Sequence, residues 1–181
     1  MSGNTTQVLT SLVRGENGAA ELYGSVIGTF TLGVVLGHLL NDGSRGREAA
    51  ALFAEALLLA AALFAAKAGA SAEVTLLTLT LAMGWNNVAL KASHGLAPKT
   101  YVSGALVDFG SGVAAALSGR ASWTQLRVPL VTWLSLALGG LAGGLLSEAS
   151  SVTAALLVPA ALLALIGLGV ALDVVKPHDE G

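Results

Sequence analysis

Cysteine is absent from all 181 residues, which excludes a disulfide framework, a thiolate nucleophile and any cysteine-based metal or iron–sulfur site. Charge is almost as scarce. Lys, Arg, Asp and Glu make up 11% of the chain, against about 25% in an average soluble domain, and a globular surface cannot be covered with so few. The net charge of −2 leaves no basic field for gripping nucleic acid. Apolar residues supply 54%, joined by 23 glycines, and the mean hydropathy of +0.75 excludes a disordered chain. These proportions describe an all-α integral membrane protein whose first partner is the lipid bilayer. The first cation is Arg14 and residues 1–13 are polar, so the cationic start and apolar centre of a cleavable signal peptide are missing and insertion relies on internal spans.

Residues 22–40, 49–66, 74–90, 129–146 and 152–172 are each apolar over the roughly 17–25 positions that a helix needs to cross a hydrocarbon layer about 30 Å thick. None carries a polar face at 3.6-residue spacing, and none alternates as a barrel strand would. Five transmembrane helices are therefore expected in a single domain covering 1–181. The first two and the last two are joined by short connections and form antiparallel hairpins. The connection between the third and fourth contains the piece 101–117, interrupted by Asp108, Gly104, Gly110 and Gly112, which reads as a sixth crossing, a broken helix or an interfacial helix. Lys and Arg decide between these. A non-crossing piece places seven of them on one face and two on the other, whereas a crossing piece splits them four against five. The positive-inside rule favours the first arrangement, with a cytoplasmic C-terminus.

The chain also repeats itself. Met1-Ser2-Gly3-Asn4-Thr5 is echoed by Val102-Ser103-Gly104-Ala105-Leu106, and Gly33 and Gly37 are echoed by Gly139 and Gly143. Residues 1–66 then form a first repeat that lacks its first helix, and 74–175 form the second. Two three-span units face opposite ways across a membrane, the inverted repeat of many secondary transporters.

Three stretches carry a resemblance. Met1-Ser2-Gly3-Asn4-Thr5, Ala82-Met83-Gly84-Trp85-Asn86-Asn87-Val88-Ala89, and Thr100-Tyr101-Val102-Ser103-Gly104 with Asp108 resemble the M-T-G-N-T, A-M-G-x-Q-N-A and T-x-x-T-G-x-x-x-D stretches of the YoaK-like family of bacterial membrane proteins. The likeness covers essentially the whole chain, and its specificity lies in the order and spacing of short motifs. It implies about six spans, the first bearing a G-Y-x-D-A signature that is absent here, in keeping with the incomplete first repeat. Asn86 stands where the family tends to have Gln, and Ser2 and Ser103 replace Thr. The family carries no assigned function, so the resemblance implies a place in the bacterial cytoplasmic membrane and not a reaction.

Polar residues inside apolar stretches are the candidates for function, because an unbonded carboxamide or carboxyl in hydrocarbon costs several kcal/mol. Asn86 and Asn87 are ligand-binding groups at a helix that unwinds there, or else an interfacial helix end. Asn4 and Thr5 in the first Ser-Gly segment, with Ser103 and Gly104 in the second, suit a helix break that holds an ion, or simple N-caps. Asp108 marks a pathway or reaches water. Glu55, on the order of 9 Å inside its span, is a proton or cation site or a carboxyl bonded to a neighbouring helix. Gly84 beside Trp85 fits close packing or an interfacial anchor. His38, His94 and His178 have no ligand spacing, and no nucleophile–base pair or metal constellation is visible, so neither a cofactor nor an enzyme is expected. Gly139-Gly140-Leu141-Ala142-Gly143-Gly144 is a small-residue face suited to a homo-oligomer. Two functions follow: a small-solute or ion carrier with Asn4, Thr5, Glu55, Asn86, Asn87, Ser103, Gly104 and Asp108 around a central cavity, or a non-catalytic accessory or structural subunit.

The protein should remain in the membrane pellet after alkaline carbonate extraction and become monodisperse only in detergent. Release into plain buffer as a compact monomer would contradict the whole reading.

Overall fold

A computed structural model describes residues 2–40, 44–89, 102–149 and 152–172. Seven α-helices occupy them: α1 (Ser2–Val13), α2 (Asn17–Leu40), α3 (Arg45–Lys67), α4 (Ala72–Ala89), α5 (Val102–Leu117), α6 (Arg127–Ala149) and α7 (Val152–Ala171), with a 3-10 turn at Trp123–Leu126. No strand occurs among the described residues. Asn17–Leu40, Gly46–Lys67 and Trp123–Ala149 are long and apolar enough to cross a membrane, and Gly104–Leu117 and Ala155–Ala171 are shorter apolar helices. Of the five stretches read as spans from the sequence, the described residues are helical over 22–40, 49–66, 74–89, 129–146 and 152–171.

Glycine punctuates the helices. Gly15, Gly69 and Gly119 adopt φ of 72°, 79° and 69°. In each case the glycine N–H donates to the carbonyl three residues back and the following N–H to the carbonyl five back, as in Glu16 N–H to Ser11 O at 2.9 Å. This closes a helix with a left-handed residue that only glycine adopts cheaply. At the other end of the second of these turns, Ser71 Oγ accepts from the Val74 amide and caps α4.

The chain divides into two compact units, Met1–Gly95 with Leu156–Gly181, and Leu96–Ala155. In the first, α4 is the central helix. It packs against α2 and α3, α1 lies on α2, and α2 and α3, consecutive in sequence, touch each other little. At the crossing of α2 and α4 the backbones nearly meet. A Cβ on Gly33 would run into the Leu81 carbonyl oxygen, and one on Gly84 into that of Phe30. The C-terminal part of α7 packs on α3, where Gly167 faces Leu52 and Phe53 and where Val170 and Leu163 join Ala49 and Leu52 in a small core. Away from these contacts the helices turn Leu32, Val35, Leu57 and Phe64 outward, a surface suited to lipid and not to water. In the second unit Leu126 of the 3-10 turn fills the notch left by Gly112 of α5.

Three local expectations change. Helix α5 runs unbroken through Gly104, Asp108, Gly110 and Gly112, so the described part of this piece, 102–117, is not a broken helix. Its sixteen residues extend only about 24 Å, short of the hydrocarbon thickness. Helix α4 does not unwind at Asn86 and Asn87. Ser2, Asn4 and Thr5 lie within α1 and Ser103 and Gly104 within the first turn of α5, and neither segment is a helix break. In α1 and α4 the physical reason is back-bonding: Thr6 and Thr10 in α1 and Asn87 in α4 donate to carbonyls of their own helices, satisfying polar groups without opening the backbone. The charge bias rests partly on Lys91, Lys99 and Lys176, which lie outside the described residues, as do His94 and His178.

Gly84→Ala should cost about 1–3 kcal/mol, because the new methyl meets backbone and not a movable side chain. Gly24→Ala in α2, where the space is open, should be neutral or stabilise by up to about 1 kcal/mol through helix propensity. Unfolding in detergent micelles reads both, and equal effects at the two sites would contradict the close crossing.

Candidate functional site

The residues that meet at the helix junction are consecutive on α4. Successive residues of an α-helix point about 100° apart, so Gly84 addresses α2 while Trp85 and Asn86 turn toward α3. Trp85 is buried, and its Nε1 donates to the Ala51 carbonyl oxygen at 3.0 Å. Leu36 and Ala54 pack against the Ala51–Trp85 contact. Asn86 Nδ2 donates to both carboxylate oxygens of Glu55, at 2.6 and 2.7 Å.

Glu55 is 6% exposed. Helix α3 begins at Arg45 and ends at Lys67, which sets Glu55 about 15–18 Å from either end at 1.5 Å per residue. It therefore lies deeper than the sequence places it. The sequence offers a carboxyl bonded to a neighbouring helix as one reading of Glu55, and the structure shows that bond. The hairpin explains the partner. Glu55 precedes the end of α3 by twelve residues and Asn86 follows the start of α4 by fourteen, so an antiparallel pair brings them level.

The other candidates are distributed differently. Asn87 is buried beside the pair, with Nδ2 donating to the Met83 carbonyl at 2.8 Å. On α1, Asn4 is half-buried and Thr5 exposed. Ser103, buried Gly104 and exposed Asp108 belong to α5 in the second unit. His38 is exposed in the last turn of α2. Among the described residues no group of His, Cys, Asp and Glu could hold a metal ion. Two buried groups escaped the sequence reading. Glu48, 4% exposed, looked like part of a loop, but α3 begins three residues before it and puts it on the same face as Ala51, Leu52 and Glu55. A spacing of three and four residues along that face was the available signal. Thr80, also buried, donates to the Leu76 carbonyl of its own helix.

These features define a helical protein with membrane-spanning lengths of apolar helix and an interhelical carboxylate–carboxamide pair at mid-helix. The chain belongs to the family described as Protein of unknown function (DUF1275), whose sequence profile matches residues 1–169. No curated protein and no solved structure matches it.

Asn86→Ala should destabilise the protein by about 1–3 kcal/mol, since a buried carboxylate loses a donor. Combined with Glu55→Gln, the loss should fall short of the sum by about 0.5–3 kcal/mol. Strict additivity in detergent unfolding would show that the two side chains do not interact.

Proposed function

We propose that the protein is a multi-pass carrier of a small solute or ion in the bacterial cytoplasmic membrane, with its C-terminus in the cytoplasm, and that Glu55 and Asn86 form the heart of its binding site. The observation that carries this reading is a buried carboxylate midway along a membrane-length helix, held through both oxygens by a neutral carboxamide from the next helix. Ionisable groups are expensive at such depth and mark pathways for ions or solutes. Asn87 lies next to the pair, and Asn4 and Thr5 of the same unit are further contacts for the moving solute. In this reading α2, α3, α4, α6 and α7 all cross the membrane.

The order of elements supports an inverted repeat. Helix α1, the turn at Gly15, α2 and α3 are matched by α5, the turn at Gly119, α6 and α7. The two turns are 104 residues apart and close their helices by the same pair of backbone bonds. Helix α4 precedes the second copy, as the YoaK-like pattern of six spans implies.

A second reading, a non-catalytic accessory subunit or homo-oligomer, is favoured by α6. Within its own unit nothing stands near Gly139, Gly140, Gly143 or Gly144, and small-residue faces let transmembrane helices approach closely.

Vesicles reconstituted with the protein and loaded with a pH dye test the carrier. Under an imposed potential, with Na⁺, K⁺ and a panel of small neutral and zwitterionic solutes outside, the wild type should carry flux that Glu55→Gln abolishes while inserting normally. If wild-type vesicles are no more permeable than empty ones to any of these, the accessory reading replaces the carrier.

A further inference from the structure

We infer that Trp85 is the positioning residue of the Glu55–Asn86 pair: its indole N–H, bonded to the Ala51 carbonyl, holds α4 in the rotation that delivers Asn86 to the carboxylate. The bond measures 3.0 Å and is buried, and Trp85 as a whole is 8% exposed. In the α-helical register the Ala51 carbonyl also accepts the amide of Glu55. The indole therefore grips the turn of α3 that carries the acid.

Geometry makes the second contact necessary. A carboxylate accepts hydrogen bonds from a wide range of directions, so the Asn86 bond by itself does not define the rotation of α4 against α3. Two bonds from adjacent residues of α4 to points one turn apart on α3 define it. The ring is fixed in turn by Leu36 and Ala54, and Gly84 on its other side is pressed against Gly33, which keeps α4 from backing away. Inside a bilayer the indole N–H has no water to turn to.

The inference rests on the reading of Glu55 and Asn86 as the working site, but its test needs no solute. Asparagine side chains labelled with ¹⁵N give five signal pairs, for Asn4, Asn17, Asn41, Asn86 and Asn87, and Asn86→Gln identifies one of them. In the detergent-solubilised wild type the Asn86 amide protons should be displaced downfield by the carboxylate, and Glu55→Ala should remove that displacement. Trp85→Phe should remove it too. Because that variant also changes packing, the decisive substitution is benzothienylalanine at position 85, which keeps the bicyclic ring and replaces N–H by sulfur. Loss of the Asn86 displacement with this residue, at wild-type thermal stability or below, supports the inference. An unchanged Asn86 signal overturns it, whatever happens to stability. A wild-type signal identical to that of Glu55→Ala overturns both the inference and the site, whereas a failure of vesicle flux alone removes only the carrier.

Discussion

The rest of the first unit depends on the contact between Gly33 and Gly84. In lipid no hydrophobic force presses helices together, and their association comes from close packing and hydrogen bonds. A glycine in a helix costs about 0.5–1 kcal/mol relative to alanine, and α2 and α4 each accept that cost where the other's carbonyl occupies the place of a Cβ. Such reciprocal approach of backbone to carbonyl is the geometry of weak Cα–H···O contacts. Its consequence is orientational. With Gly84 turned to α2, the next two residues of α4 turn to α3, where the bonds of Trp85 and Asn86 are made.

The energetics of the pair are close to balanced. An acidic residue at the centre of a membrane helix costs about 2.5–3.5 kcal/mol on insertion scales, while a hydrogen bond to a charged group returns about 1.5–3 kcal/mol. The two contacts donated by the Asn86 carboxamide, at 2.6 and 2.7 Å, thus offset much of the burial. An apolar pair of the same size would stabilise the hairpin at least as well.

Depth in an apolar run made Glu55 and Asn86 legible, because the cost of burial can be read from the residue type and its position alone. Their pairing was not read, since it depends on the register of α3 and α4 about the turn at Gly69, while the start of α3 was read four residues late. The same shift placed Glu48 in a loop. Trp85 was visible as a bulky neighbour of glycine, but its partner is a backbone carbonyl, which no residue type announces. The Ser-Gly segments misled for the opposite reason. Hydroxyls and glycines are the usual ingredients of a break, yet in α1 the threonines bond back to carbonyls four residues earlier and the helix continues. Composition thus disclosed the class of protein and the expensive residues, while the contacts between helices follow from register and packing that composition does not encode.

Polar side chains in apolar helices have two ways to be satisfied, and the distinction bears on function. Thr31, Thr78, Thr80 and Asn87 donate to Ile27, Val74, Leu76 and Met83, each four residues back. Bonds of this kind form as soon as a helix forms and survive any movement of one helix against another. Trp85 and Asn86 do the opposite, since their bonds exist only when α3 and α4 are docked in one register. A membrane protein that works by shifting helices must break and remake bonds of the second kind while keeping the first. Here bonds of the second kind fall on neighbouring residues beside a glycine crossing, so a small rotation of α4 about Gly84 would loosen both together and uncover the carboxylate of Glu55 with no change inside either helix.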